Sequence, residues 1–300
     1  MNWLFLALLS RVFLATCNVF DSHFQNAHFK DGFAQNFFGS IYFIVIIPLL
    51  YLWIHPALPP VSVWPWLIAA GCMFRLFLIP YFEAMNHADS SAVSSMFMLG
   101  RVFAPVFAYF LIGEVLTARE WLGFGVVVAG ALLLTNTPGK MHFNLRPMLL
   151  MAAAGMMIAL YTVTSKHCFN VMPWLDAYFY TVLIGNLLAW SMILAPPLRA
   201  GIVAGARQFP KIGAHVGISV LLALTGNFMY FYALSLTKVS NMVMIAQFQP
   251  FMVILIGWIF SKLGWLKLTR ESFAVRDIRR KVIAFLVMIA GVALALAPRF

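Results

Sequence analysis

Arginine is rare within apolar sequence, and this chain places three there: Arg11, Arg75 and Arg101. A guanidinium at the bilayer centre costs roughly 2.5–3.5 kcal/mol even on a lenient insertion scale. Such a residue persists where it faces protein, water or a ligand. Its planar fork grips carboxylate or phosphate through two parallel hydrogen bonds. Three of them together imply a polar pocket that receives negative charge. Two structural readings compete with that one: bonds to backbone carbonyls freed by a broken helix, or a reach across the bundle to Glu83. Other polar residues within apolar stretches are Asn18, Tyr161, Asn186, Asn227, Tyr230, Gln247 and Gln249. Asn and Gln in such places also bond between helices with no ligand involved. Apart from Asn18, these residues join the three arginines as candidate substrate-binding residues. Gln247 and Gln249 lie just before Pro250, where a proline frees backbone groups.

The elements that must position these residues follow from composition. The chain is 63% hydrophobic and 10% charged, with mean hydropathy +0.91, more apolar surface than a soluble domain of this length can bury. It reads as an all-α polytopic membrane protein. A span needs about 20 apolar residues, and ten segments qualify: 2–20, 34–54, 64–86, 90–112, 118–136, 145–166, 174–195, 213–236, 240–262 and 280–298. His55–Pro60, Thr137-Pro138-Gly139 and Ala195-Pro196-Pro197 read as turns between them. Thr117 and Glu120 fit a capping box opening the fifth span. The first segment lacks a small-residue cleavage site and reads as a mature helix.

Depth comes from counting. The third and fourth spans are antiparallel around a turn near His87 and Ala88. Arg75 and Arg101 each lie about 11 residues from the far ends of their helices, roughly 16 Å at the helical rise. Arg11 lies about nine residues in from the same side, roughly 13 Å. All three fall in one layer near the middle of a hydrocarbon core about 30 Å thick. Glu83 is the carboxylate well inside these helices, and it is too far along the helix from Arg75 for an i,i+4 pair. Asp21 and Asp89 read as helix-end residues. The layer therefore carries more positive than negative charge.

The chain also repeats itself. Tyr81-Phe82-Glu83-Ala84-Met85 followed by Ala88–Val93 answers to Tyr230-Phe231-Tyr232-Ala233-Leu234 followed by Lys238–Val243. Gly123 and Val128–Leu132 answer to Ile289–Ala293. Five helices per repeat is an odd number, so two such repeats must be inverted in the membrane, an arrangement of transporters. The repeats divide at 1–139 and 140–300. The tract Ala84 to Leu134, with Ile112–Thr117, Trp121-Leu122-Gly123 and Ala129-Gly130, resembles the EamA-type module of the drug/metabolite transporter superfamily. The stretch from Tyr232 through Pro250 to Gly291 matches it again. That resemblance implies ten helices in two inverted five-helix repeats around a central cavity, and a carrier of small metabolites that works without ATP. The family pattern sets a proline 17 residues after the alanine, as from Ala233 to Pro250. Arg101 takes that position after Ala84, with a proline only at Pro105. The second half also has Leu263-Gly264-Trp265 where the first has Gly113-Glu114.

Thirteen lysines and arginines fall in the connections on one side, seven of them in the basic 262–281 loop, and four on the other. The positive-inside rule sets that loop in the cytosol and both termini outside, whereas relatives in the superfamily are drawn with cytosolic termini. The net charge of +11 serves orientation and does not imply nucleic acid. Cys17, Cys72 and Cys168 have neither disulfide nor zinc spacing and read as packing residues. Glu114 reads as a cap or ion-pair partner at the fifth helix, and Lys166 and Asp176 as interface residues. No triad, metal cluster or phosphate loop stands out, so no enzyme activity, metal or cofactor is expected. The expected protein is a multi-pass transporter of the plasma (inner) membrane, a monomer or homodimer. It moves a small anionic or carboxylate-bearing metabolite by alternating access. The alternatives are a flippase of phosphate-headgroup lipids and a non-transporting subunit or sensor.

Overall fold

The computed structural model describes residues 3–29, 31–87, 93, 96, 97, 100–135, 145–263 and 275–296. Among them there is no strand. The helices are α1 (Trp3–Phe24), α2 (Gly32–Ile41), α3 (Phe43–Ile54), α4 (Trp64–Leu76), α5 (Leu78–Met85), α6 (Ala104–Ile112), α7 (Ala118–Thr135), α8 (Leu145–Val171), α9 (Trp174–Ser191), α10 (Pro196–Ala206), α11 (Phe209–Leu236), α12 (Val239–Ala246), α13 (Gln249–Lys262) and α14 (Val275–Leu296). Their starts follow proline chemistry. Proline lacks the amide hydrogen that a first turn leaves unused, and it stands in the first turn of α4, α6, α10, α11 and α13. The turn expected at Ala195-Pro196-Pro197 is for this reason the start of an extra helix, α10. Gly113, at φ 67°, ends α6 in the left-handed conformation. The capping box forms: the Thr117 amide donates to Glu120 Oε2 at 2.7 Å and the Glu120 amide to Thr117 Oγ1 at 3.3 Å.

Among the described residues, six stretches are long and apolar enough to cross a membrane: Trp3–Phe24, Val61–Met85, Leu145–Val171, Trp174–Leu194, Phe209–Leu236 and Val239–Lys262. The pair α2 and α3, bent by 44°, makes a seventh if it is one span. Ile44, Leu49, Leu52 and Trp53 on α3, with Phe110 and Leu286, are more than half exposed. Apolar side chains displayed in this way suit lipid contact. The chain is a multi-pass membrane protein. The expected span 90–112 is described only in part. Asp89, the turn at Thr137-Pro138-Gly139 and most of the basic 262–281 loop lie outside the described residues.

Packing brings distant segments together. Helix α1 lies along α11 and α13; α4 and α5 lie along α8; α4 also packs on α9, and α7 on α14. The α7–α14 crossing is close because Gly123 and Gly291 meet: a Cβ on Gly123 would lie 2.6 Å from the Gly291 carbonyl, and one on Gly291 2.8 Å from that of Gly123.

Besides the bend between α2 and α3, three breaks interrupt apolar helices among the described residues. Helix α4 gives way to α5 at Phe77, two residues after Arg75. Turn residues Val102 and Phe103 precede Pro105, and Gln247 and Phe248 precede Pro250. The two proline breaks correspond turn for turn. Ala84 to Pro105 is 21 residues where Ala233 to Pro250 is 17. Arg101 therefore does not occupy the proline position. Pro105 does, and Arg101 stands one turn earlier, where the second break has Ala246.

Candidate functional site

A cavity of about 180 Å³ opens among α1, α2, α4, α5, α8, α9, α11 and the two broken segments. An ordered water needs about 10–15 Å³ of such space, so the cavity has room for a small molecule. Its wall includes Arg11, Arg75 and Arg101, along with Asn18, Tyr161, Asn227, Tyr230 and Gln249. Asn186 is buried beside it and reaches it through Arg75. Gln247 is buried at the end of α12 and is not on the wall.

Each guanidinium is held by a neutral partner. Arg75 Nη1 donates to Asn36 Oδ1 at 3.4 Å and Nη2 to Asn186 Oδ1, while Asn36 Nδ2 donates back to the Arg75 carbonyl at 3.3 Å, beside the Phe77 break. Asn186 is itself fixed by its own helix, donating to the Val182 carbonyl at 2.7 Å. Arg11 donates from Nη1 to Gln249 Oε1 and from Nε to Ser10 Oγ, both at 3.2 Å. Arg101 Nη1 donates to the Ala246 carbonyl at 3.4 Å. That carbonyl is free because Pro250, four residues on, has no amide hydrogen to offer it. The broken-helix reading of an intramembrane arginine thus holds for one bond of Arg101.

Rings complete the cradle. The Arg11 guanidinium lies 4.6 Å from the Tyr230 ring centroid and that of Arg101 4.6 Å from Phe97; Arg75 lies 5.2 Å from Phe43 and 5.0 Å from Phe74. Faces of aromatic rings favour a cation but do not neutralise it. The three arginines are 3%, 4% and 5% exposed, and among the described residues none forms an ion pair. Arg75 Nε, Arg101 Nε, Asn18 Nδ2 and the Tyr161 hydroxyl are buried without a protein partner.

Position depends on close backbone approach. A Cβ on Gly100 would lie 2.2 Å from the Met156 amide nitrogen of α8, and one on Gly155 2.5 Å from the Phe97 carbonyl. These two glycines let α8 press on the turn that carries Arg101.

Glu83 takes no part in the arginine layer. It bonds Arg146 at 2.8 Å and faces His87 at 3.4 Å, away from the cavity. The carboxylate that does line the cavity is Asp21, expected at a helix end. It stands in the last turn of α1, which ends at Phe24 and is followed by a π-helical turn, Gln25–Phe29. Gln35 Nε2 donates to Asp21 Oδ1 at 3.3 Å, Ser219 Oγ to Oδ1 at 3.4 Å and Cys17 Sγ to Oδ2 at 3.5 Å. Cys17 is thus a wall residue as well as a packing one. Gln35 and Asn36 were missed from sequence. Their signal was a pair of amides one turn into an apolar span.

At the opposite end of the bundle the charged side chains are bonded to other segments. Glu114 accepts from the Val239 amide at 2.8 Å, the Ser240 amide at 3.0 Å and Ser240 Oγ at 2.5 Å. It caps α12, not the fifth span. Lys238 bonds Glu120 at 2.7 Å, and Lys166 Nζ donates to the Leu234 and Ser235 carbonyls at the end of α11. Beneath them Tyr161, Tyr178, Tyr230 and Phe231 pack ring on ring.

Comparison with known proteins agrees with this architecture. The model of the EamA-like transporter family matches residues 1–136 and 145–270. An uncharacterized transporter in the cobO 3′ region of a Sinorhizobium species is 30% identical over 136 residues, 44% of this chain and 96% of that protein. A protein solved by crystallography aligns with 98% of this chain and 96% of its own at a TM-score of 0.59 and 19% identity, a likeness of fold.

Proposed function

We propose that this chain, which belongs to the EamA-like transporter family, carries a small anionic or carboxylate-bearing metabolite across the membrane by alternating access. The observation that carries the reading is the cavity with three buried guanidiniums whose protein partners are neutral. Buried positive charge without a counter-ion is costly, and a bound carboxylate or phosphate removes that cost. Arg101 and Arg75 grip the acidic group. Arg11 closes the layer, and Tyr161, Asn227, Tyr230 and Gln249 contact the remainder. The cavity's size favours a metabolite over a lipid headgroup with its chains.

Ten spans in two inverted repeats, 1–139 and 140–300, fit the packing: α1 lies on α11 as α8 lies on α4 and α5, and α7 meets α14 through paired glycines. The corresponding breaks before Pro105 and Pro250 fit it too. By the positive-inside rule, the 262–281 loop of a plasma (inner) membrane protein faces the cytosol. A cysteine at Ser272 then resists an impermeant thiol reagent in intact cells and reacts after permeabilisation; labelling in intact cells reverses the orientation. For substrate class, thermal stabilisation and vesicle uptake are measured over a panel of carboxylates, organic phosphates, zwitterions and amines. Carboxylates stabilise the protein and are taken up. Preference for an amine would refute the anion site.

A further inference from the structure

The cavity contains a second charged station that the anion reading leaves unused. Asp21 lies about ten residues along α1 from Arg11, roughly 15 Å of helix axis. An α-amino acid separates its charges by far less, so one small zwitterion does not bridge the two. We propose that Asp21 is a proton site coupled to the anion site, so that a proton and the substrate anion bind together and cross together. The proposal rests on the anion reading above for the coupling, and on Asp21's own surroundings for the proton.

Those surroundings disfavour a metal ion, and among the described residues no ion pair holds the Asp21 carboxylate in its charged form. Gln35 offers Asp21 an amide N–H and Cys17 an S–H. Sodium or another hard cation wants several oxygens instead. The Gln35 amide is oriented by two acceptors at once, Asp21 Oδ1 and the Asp21 carbonyl. Titratable groups facing the carboxylate are few: Cys17 on its own helix and Tyr81 on α5, which stands within electrostatic reach of both Asp21 and Arg101. Ser219 faces it from α11, and α12 and α13 carry no acid or base before Lys262. Two residues on, His23 lies 5.8 Å from His28, ring to ring, with His215 near. Asp21 lines the cavity and is not fully buried.

The sign of the coupling follows from charge. An anion among the arginines raises the affinity of Asp21 for a proton, and a proton on Asp21 removes a negative charge that repels the anion. The two effects are equal by linkage. At roughly 15 Å and an effective dielectric constant of about 20, the coupling is about five- to tenfold in affinity.

Benzoate, which stays ionised over the range used, serves as the carboxylate probe for the purified protein in lipid nanodiscs. Binding is expected to tighten about five- to tenfold on acidification and to take up protons from the buffer. In Asp21→Asn the affinity no longer depends on pH, and in Asp21→Glu the dependence returns. Infrared difference spectra supply a readout that needs no ligand: a protonated carboxyl band present in the native protein and absent from Asp21→Asn. An unchanged pH dependence in Asp21→Asn, or sodium replacing acid, would overturn the proposal. Absence of the infrared band would overturn the proton site even if benzoate binds. Benzoate and the other carboxylates failing to bind at any pH, with the band present, would overturn the carrier reading and the coupling together.

Discussion

The two ends of α12 carry opposite charges and opposite degrees of satisfaction. At its N-terminus, Glu114 accepts three hydrogen bonds from Val239 and Ser240, and Lys238 beside it is paired with Glu120. At its C-terminus, Arg101 gives one long bond to the Ala246 carbonyl and leaves Nε unpaired. Both charges suit the helix dipole, which favours an anion at the first end and a cation at the second. Only the first is saturated. A saturated charge fastens two segments, whereas a half-used one inside a cavity is available to something else. The same contrast separates Glu83, paired with Arg146 on the outside, from Asp21, which meets only neutral donors on the cavity wall.

The largest expected effect tests the unsaturated end. Arg101→Gln removes a charge-assisted contact worth about 1.5–3 kcal/mol, so carboxylate affinity and uptake fall about 10–150-fold. Expression stays near native and the melting temperature does not fall, because a buried cation without a counter-ion costs stability. Uptake assays beside a thermal melt read both; native uptake would break the comparison. Glu114→Ala should do the reverse. It strands the Val239 and Ser240 amides and lowers stability by about 1–3 kcal/mol, seen as an earlier melt in detergent. Arg101→Lys keeps the charge and loses the planar fork, and its affinity for a carboxylate falls about tenfold. Binding titrations of Lys against Gln at this position show how much of the effect is geometry. The smallest effect is Lys238→Met. Its partner Glu120 is already capped by Thr117, and Lys238 is 40% exposed, so stability changes by no more than about 1 kcal/mol. A larger loss would mean that this end depends on that pair more than on the Glu114 cap.

What the sequence determined by itself is what depends on short range and on composition. Apolar runs define the spans. Thr117 and Glu120, three residues apart, define a helix start, and the arginines stand out because charge is rare in such runs. Tertiary structure decided what lies far apart in the chain. Gln249 meets Arg11 across 238 residues and Asn186 meets Arg75 across 111, and neither pair leaves a pattern in sequence. The register of the first break was misread from spacing because 21 residues separate Ala84 from Pro105, and spacing is blind to where an insertion sits; the helix breaks themselves set Arg101 against Ala246. Asp21 reads as a helix-end residue and does stand in the last turn of α1; that it faces the cavity is decided by Gln35 and Ser219, which come from distant segments. Glu83, deeper by count, turned outward to Arg146. Counting gives a residue's depth along a helix. Which way the side chain faces is set by the neighbours that pack against it, and that orientation separates a fastening charge from a binding one.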